Sequence, residues 1–187
     1  LADQVGDVLT VTGSAFFDAG STIAVGLLGS ANFGSVGLLT PSSATVVESS
    51  STHLDGVDVG SLNLTSTNLI TQSGVDTGAG TASVVVAGTT QLTLSSATGS
   101  ILLRRSSSNP PGTVNDGSLM DNDFAGTFTV IGVDTDLRWR NVSNTADVGV
   151  IPTNMRDLEI DFPNANIDLA ARTINLTGNL GLYSGLS

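Results

Sequence analysis

The sequence predicts an all-β protein, and three observations support this prediction. Short stretches alternate apolar and polar residues with a period of two, the pattern of half-buried strands. The chain holds 23 Ser, 23 Thr and 22 Gly among 187 residues, and Thr favours strands while Gly and Ser favour the turns between them. Helix formers are scarce, since there is no Lys and there are only two Glu.

The predicted strands are separated by turns rich in Gly, Asn, Asp and Ser. In Ser61–Thr65, for example, Leu62 and Leu64 share one face, whereas Asn63 lies on the other. In chain order, the clearest strands are Val8–Gly13, Ser61–Thr65, Thr81–Val86, Gln91–Leu94, Thr127–Ile131, Asp157–Phe162 and Thr173–Thr177.

The composition and the internal repeats favour a parallel β-helix, a solenoid, over a sandwich or a barrel. Aromatic residues make up only 4% of the chain, which suits a narrow core of stacked aliphatic layers. Three segment pairs are similar and occur in the same order: Gly13–Ile23 with Gly88–Ile101, Asn32–Val36 with Asn122–Phe128, and Asp58–Thr65 with Asp168–Thr177. We therefore expect a single segment over residues 1–187, with approximate modules 1–70 and 71–187 and about nine coils of roughly 20 residues.

Charge and composition exclude several classes of protein. The net charge is −11 with 12% charged residues, so the surface repels phosphate backbones and anionic lipid head groups. No apolar run reaches the roughly 18 residues that span a bilayer. The absence of Cys removes disulfides, thiolate metal sites and thiol nucleophiles. We expect neither nucleic-acid binding nor membrane insertion.

Four short motifs occur in a recognisable order: Asn68–Gly74, Val86–Thr90, Asn122–Gly126 and Ile174–Gly178. This succession resembles the repeat region of filamentous-haemagglutinin-like adhesins of two-partner secretion and of related autotransporter passengers. The resemblance implies a right-handed parallel β-helix that is secreted to the bacterial cell surface. It also implies a role in adhesion or in an extracellular filament, with surface glycans or proteins as partners.

Three features of the chain depart from a plain repeat. Arg104–Gly117 is rich in Ser, Pro and Gly, which predicts a loop insertion that trypsin cuts first at Arg104 or Arg105.

The sequence begins without Met and shows no signal peptide, as expected of an internal fragment or a processed subunit. Leu180–Ser187 carries no charge, so we expect this end to favour self-association of the chain along its axis.

Candidate chemistry is sparse, and we predict no catalytic residue and no enzyme activity. The single histidine, His53, is interpreted as a solvated turn residue. Asp121 and Asp123 are candidate calcium ligands, because carboxylates at i and i+2 on a turn can chelate Ca²⁺. No other cofactor is expected.

A cluster around Trp139 supports a second interpretation. Trp139, Arg138 and Arg140, close to Asp134 and Asp136, could form a glycan contact, since an indole stacks on sugar rings. The alternative is an outward-facing strand on which Trp139 anchors a loop. The leading function is thus a non-catalytic structural segment of a secreted adhesin or filament. The alternatives are a glycan-binding or glycan-cleaving module and a self-assembling fibre subunit.

Overall fold

The computed structural model describes residues 4–73, 84–105, 119–132 and 135–185. Within these ranges the chain forms fourteen strands and no helix, which confirms the all-β prediction. The strands are β1 (Val8–Asp18), β2 (Ile23–Val25), β3 (Ser30–Val47), β4 (Thr52–Ser66), β5 (Leu69–Gln72), β6 (Val84–Val86), β7 (Thr90–Leu94), β8 (Gly99–Leu103), β9 (Asp123–Phe124), β10 (Phe128–Ile131), β11 (Thr135–Arg140), β12 (Asn154–Phe162), β13 (Asn175–Leu176) and β14 (Leu180–Ser184).

The strands belong to one hydrogen-bonded system in which each strand pairs with strands from earlier or later passes of the chain. The main path runs β1-β3-β4-β5-β8-β11-β12-β13, and the remaining strands branch from it. All thirteen strand pairings among the described residues are parallel. Within the described residues, the sheet is therefore large and parallel.

Much of the core consists of aliphatic side chains that stack directly on one another from strand to strand. The register places Val25, Val46, Leu64, Leu92 and Val130 in one such stack, and each is at most 3% exposed. A second buried stack, on the following strands, is made of Ile70, Ile101, Leu137 and Leu158. Because each stack removes apolar surface from water on both sides of every member, these ladders are a main source of stability.

A column of glycines permits the close approach of successive passes at one corner. A Cβ on Gly88 would lie 2.7 Å from the carbonyl oxygen of Gly60, and a Cβ on Gly126 would lie 2.4 Å from that of Gly88. Any side chain at Gly88 or Gly126 would force the backbones apart. Glycine is thus required here by contact distance.

The structure corrects the start of the predicted loop at Arg104–Gly117. Arg104 is only 7% exposed, and its guanidinium pairs with Glu159 at 3.1 Å and with Asp161 at 3.2 Å. Arg105 forms an isolated antiparallel bridge with Leu119, while residues 106–118 lie outside the described part of the chain. Arg104 is therefore a packed residue, because burial and two ion pairs hold it, and the cut by trypsin at Arg104 or Arg105 stays a prediction.

Substitution within a core stack tests the register. Leu64→Ala deletes a fully buried side chain between Val46 and Leu92, so we expect a loss of about 2–5 kcal/mol in the free energy of unfolding. Urea denaturation measures it. The control is Asn63→Ala on the exposed face of the same strand, which should change the value by about 0.5 kcal/mol or less. Equal losses in the two variants would contradict this register.

Candidate functional site

A polar groove crosses β1, β3, β4 and the end of β5 on the outside of the sheet. Its volume is about 530 Å³. Its polar side chains are mainly hydroxyls, with one amide, one imidazole and one carboxylate among the described residues. We call it the hydroxyl groove; the side chains that define it are Thr12, Ser14, Asn32, Ser35, Ser50, Ser51, His53, Asp55 and Ser73.

Strand register brings these polar residues together, although they are far apart in sequence. Ser14 is paired with Ser35 in the parallel ladder of β1 and β3, and the Ser35 hydroxyl donates to the Ser14 hydroxyl at 2.8 Å. His53 is paired with Thr71, and its Nδ1 lies 2.8 Å from the Thr71 hydroxyl. Because successive side chains of a strand alternate between faces, these polar residues point outward while their neighbours enter the core.

Among the described residues, His53 and Asp55 are the two ionisable ones that line the groove. His53 lies in β4 and is 8% exposed, so the interpretation as a solvated turn residue is wrong. Burial lowers the pKa of His53, and the nearby Asp55 carboxylate opposes this shift. The imidazole is therefore neutral at pH 7. Asp55 Oδ1 accepts a hydrogen bond from the Ser73 hydroxyl at 2.6 Å.

The hydrogen bonds of His53 and Asp55 do not form a nucleophile relay. A hydrolase of that kind needs a carboxylate that orients the imidazole and a hydroxyl that the imidazole activates. Here the imidazole contacts Thr71 and the carboxylate contacts Ser73. The arrangement supplies hydrogen-bond donors and acceptors, which suits the binding of a polar ligand.

A second surface carries four of the six arginines in a network of ion pairs. Arg138 lies 3.5 Å from Asp157 and 3.8 Å from Glu159. Arg140 lies 2.9 Å from Asp161 and 3.0 Å from Asp121. We call this network the ion-pair face; its other members are Arg104, Arg156 and Asp136. Since every guanidinium has a carboxylate beside it, this face offers no excess positive charge to an anionic ligand.

Trp139 does not belong to the ion-pair face, because its side chain points into the core. It is 0% exposed, stacks on Phe128 with the ring centroids 4.1 Å apart, and meets the edge of Phe162 at 4.9 Å. The expected stacking of its indole on a sugar is therefore ruled out by burial. Arg138 and Arg140 stay predicted glycan contacts, and both are already ion-paired.

The acidic residues singled out from the sequence have different environments. Asp136 is 5% exposed, accepts a hydrogen bond from the Ser100 hydroxyl at 2.8 Å and pairs with Arg156; Asp134 lies outside the described residues. Asp121 pairs with Arg140, so a cation there would compete with a guanidinium. Within the described ranges, no three His, Asp or Glu residues could hold a metal together. Calcium at Asp121 and Asp123 stays a prediction.

Comparisons with known proteins assign no family. A scan against protein-family models gives no match, and searches of curated proteins and of solved structures give none either. Among the described residues, no helix has the length and hydropathy needed to cross a membrane.

A buried glutamate behind the hydroxyl groove makes stability depend on pH. Glu48 is 2% exposed, and its Oε1 accepts a hydrogen bond from the Phe33 N–H at 2.8 Å. Burial raises the pKa of Glu48 above its ordinary value of 4.5, and the hydrogen bond from the Phe33 N–H opposes the shift. Because the folded-state pKa is raised, the contribution of this group is fully present below the ordinary pKa and is lost as pH rises through the folded value.

Glu48→Gln should stabilise the protein near pH 8, because the amide keeps an acceptor for Phe33 N–H without a buried charge. The gain should shrink towards zero as the pH falls to about 4.5. Chemical denaturation at both pH values measures it. The control is the other glutamate of the chain: Glu159→Gln weakens the pairs with Arg104 and Arg138 and should destabilise at pH 8. A loss of stability in Glu48→Gln at pH 8 would contradict this account.

Proposed function

We propose that the chain is a right-handed parallel β-helix that serves as a rigid structural segment of a secreted bacterial surface adhesin or extracellular filament. The observation that carries the proposal is the register: the same core position is filled pass after pass along the chain. The resemblance of four motifs to filamentous-haemagglutinin-like repeats supports the secreted location. Surface glycans or proteins are the proposed partners.

The connections between paired strands support a coil rather than a layered α/β sheet. Parallel neighbours need a crossover, which in most parallel sheets is a helix. In the described residues the crossovers contain further strands of the same system and no helix. For example, the chain passes from Val46 in β3 to its partner Leu64 in β4, and β4 begins within that connection. Winding of this kind produces a solenoid.

Two physical rules support the proposed right-handed coil and the proposed structural role. Crossovers between parallel strands are right-handed in nearly all proteins. In a solenoid each coil contacts only its neighbours, so length can increase without a larger core. At about 4.8 Å per coil, the nine coils expected from the sequence would form a rod of roughly 40–45 Å. A net charge of −11 opposes side-by-side aggregation of such rods.

Engineered disulfides test the coil order, and the absence of Cys in the chain gives a clean background. Thr45 is paired with Asn63, and Asn63 is paired with Gln91. Thr45→Cys/Asn63→Cys and Asn63→Cys/Gln91→Cys should each oxidise to a monomeric disulfide, because neighbouring parallel strands lie about 4.8 Å apart. Non-reducing gel mobility and mass spectrometry detect the bond.

The matched control uses the same side chains one coil further apart. In Thr45→Cys/Gln91→Cys the two positions are separated by about 9.6 Å, beyond the reach of a disulfide. This pair should stay reduced at equal oxidant. Efficient oxidation of the control, or none of the adjacent pairs, would refute the proposed stacking.

Immunogold electron microscopy of intact source cells tests the role. Antibodies raised against the chain should label material that projects from the cell surface, and protease treatment of intact cells should remove the label. A cytoplasmic marker on the same grids, exposed only after permeabilisation, is the control. Label that needs permeabilisation would overturn a surface role.

The exposed apolar residues at both ends of the strand order favour the fibre-subunit alternative. Leu180, Leu182 and Tyr183 on β14 are 44–57% exposed, and Val8 and Leu9 on β1 are 76% and 42% exposed. Open strand edges with apolar side chains favour end-to-end contact. Negative-stain microscopy of the purified chain separates the two roles: filaments of regular width support a fibre subunit, and single short rods support a stalk segment.

A further inference from the structure

We propose that the hydroxyl groove binds a neutral saccharide, with Asp55 and the groove hydroxyls contacting sugar hydroxyls and Phe16 contacting a sugar face. The inference deepens the proposed function, because it gives the adhesin a ligand class and a site. The site is distinct from the Trp139 region that the sequence suggested.

The groove presents donors and acceptors side by side, which is the pattern that neighbouring sugar hydroxyls match. A hydroxyl can donate one hydrogen bond and accept two. The Ser14 hydroxyl accepts from Ser35, so it has its own proton to donate. Asp55 uses Oδ1 for Ser73, and among the described residues no other group donates to this carboxylate.

The charge of the groove selects against anionic ligands. Within the part of the chain that the structure describes, its lining residues include one carboxylate, Asp55, and no arginine. Burial lowers the pKa of His53, so the imidazole adds no positive charge at pH 7. Phosphate, sulfate and uronate groups would meet Asp55 and an acidic protein surface without a compensating cation. A neutral, hydroxyl-rich ligand carries no such cost.

Phe16 supplies an apolar surface beside the groove. It is 64% exposed and follows Ser14 by two residues on the same outer face of β1. Its ring occupies the space above Gly37, where an added Cβ would lie 2.5 Å from Phe16 Cδ2 and 2.8 Å from the Asp55 carbonyl oxygen. The glycine therefore lets an aromatic ring approach the Asp55 segment, and the C–H face of a sugar can pack on that ring while its hydroxyls reach the groove.

Saturation-transfer NMR and calorimetry with a fixed panel test the inference at pH 7. The neutral probes are hexasaccharides of glucose (α-1,4, β-1,4 and β-1,3), β-1,4-mannohexaose and chitotetraose. The anionic probes are oligogalacturonate and a heparin octasaccharide. We expect saturable binding of at least one neutral probe and at least tenfold weaker binding of both anionic probes.

Two groove variants and two matched controls locate the site. Asp55→Asn and Phe16→Ser should each weaken the bound saccharide by at least about fivefold, the loss of one hydrogen bond or one apolar contact. Asp18→Asn and Ile131→Ser, exposed residues outside the groove, should stay within twofold. Circular dichroism verifies that all four are folded.

Binding of no neutral probe, equal binding of anionic probes, or unchanged affinity in both groove variants would overturn the inference. None of these results bears on the location of the chain, which immunogold labelling reports separately. Failure of the binding site and failure of the structural role are thus distinguishable.

Discussion

Parallel hydrogen bonding between successive passes of the chain is the constraint on which the rest of the structure depends. It fixes which residue lies beside which, and so it decides at once that Leu64 lies between Val46 and Leu92 in the core and that His53 lies beside Thr71 outside it. The same register therefore determines both which side chains lie in the core and which lie on the surface. A slip by one residue would exchange them, turning aliphatic side chains to water and hydroxyls into the core.

This constraint also explains how a chain with few aromatic residues stays packed. Small aliphatic side chains fill a thin core because each is covered by a similar side chain from the passes above and below. Three aromatic side chains of the core, Phe128, Trp139 and Phe162, pack against one another in a contiguous group. Away from the core, ion pairs also link distant parts of the chain, since the Arg104 guanidinium contacts both Glu159 and Asp161.

The strands could be predicted from the sequence because alternation is a local property, whereas the site depends on which passes are adjacent. The region of Leu137–Arg140 illustrates both. Its alternation places Leu137 and Trp139 on one face and Arg138 and Arg140 on the other, and the structure buries Trp139; treating all of them as one surface ignored that period. No local pattern, by contrast, relates Ser14, Ser35 and His53. Their proximity depends on connection lengths, and the serine run before His53 resembles a turn although β4 begins at Thr52.

The unequal connections between paired residues have a mechanical consequence for the proposed rod. Hydrogen bonds between parallel passes point along the axis, so tension between the two ends would pull one pass away from the next instead of shearing them. Complete detachment of a pass frees at most the chain that joins the partners: 18 residues from Val46 to Leu64 and 38 residues from Leu92 to Val130. At about 3.4 Å per residue, these are extensions of roughly 60 Å and 130 Å. The longer connection therefore allows about twice the extension per detached pass, once the pairings of β8 and β9 within it have also broken.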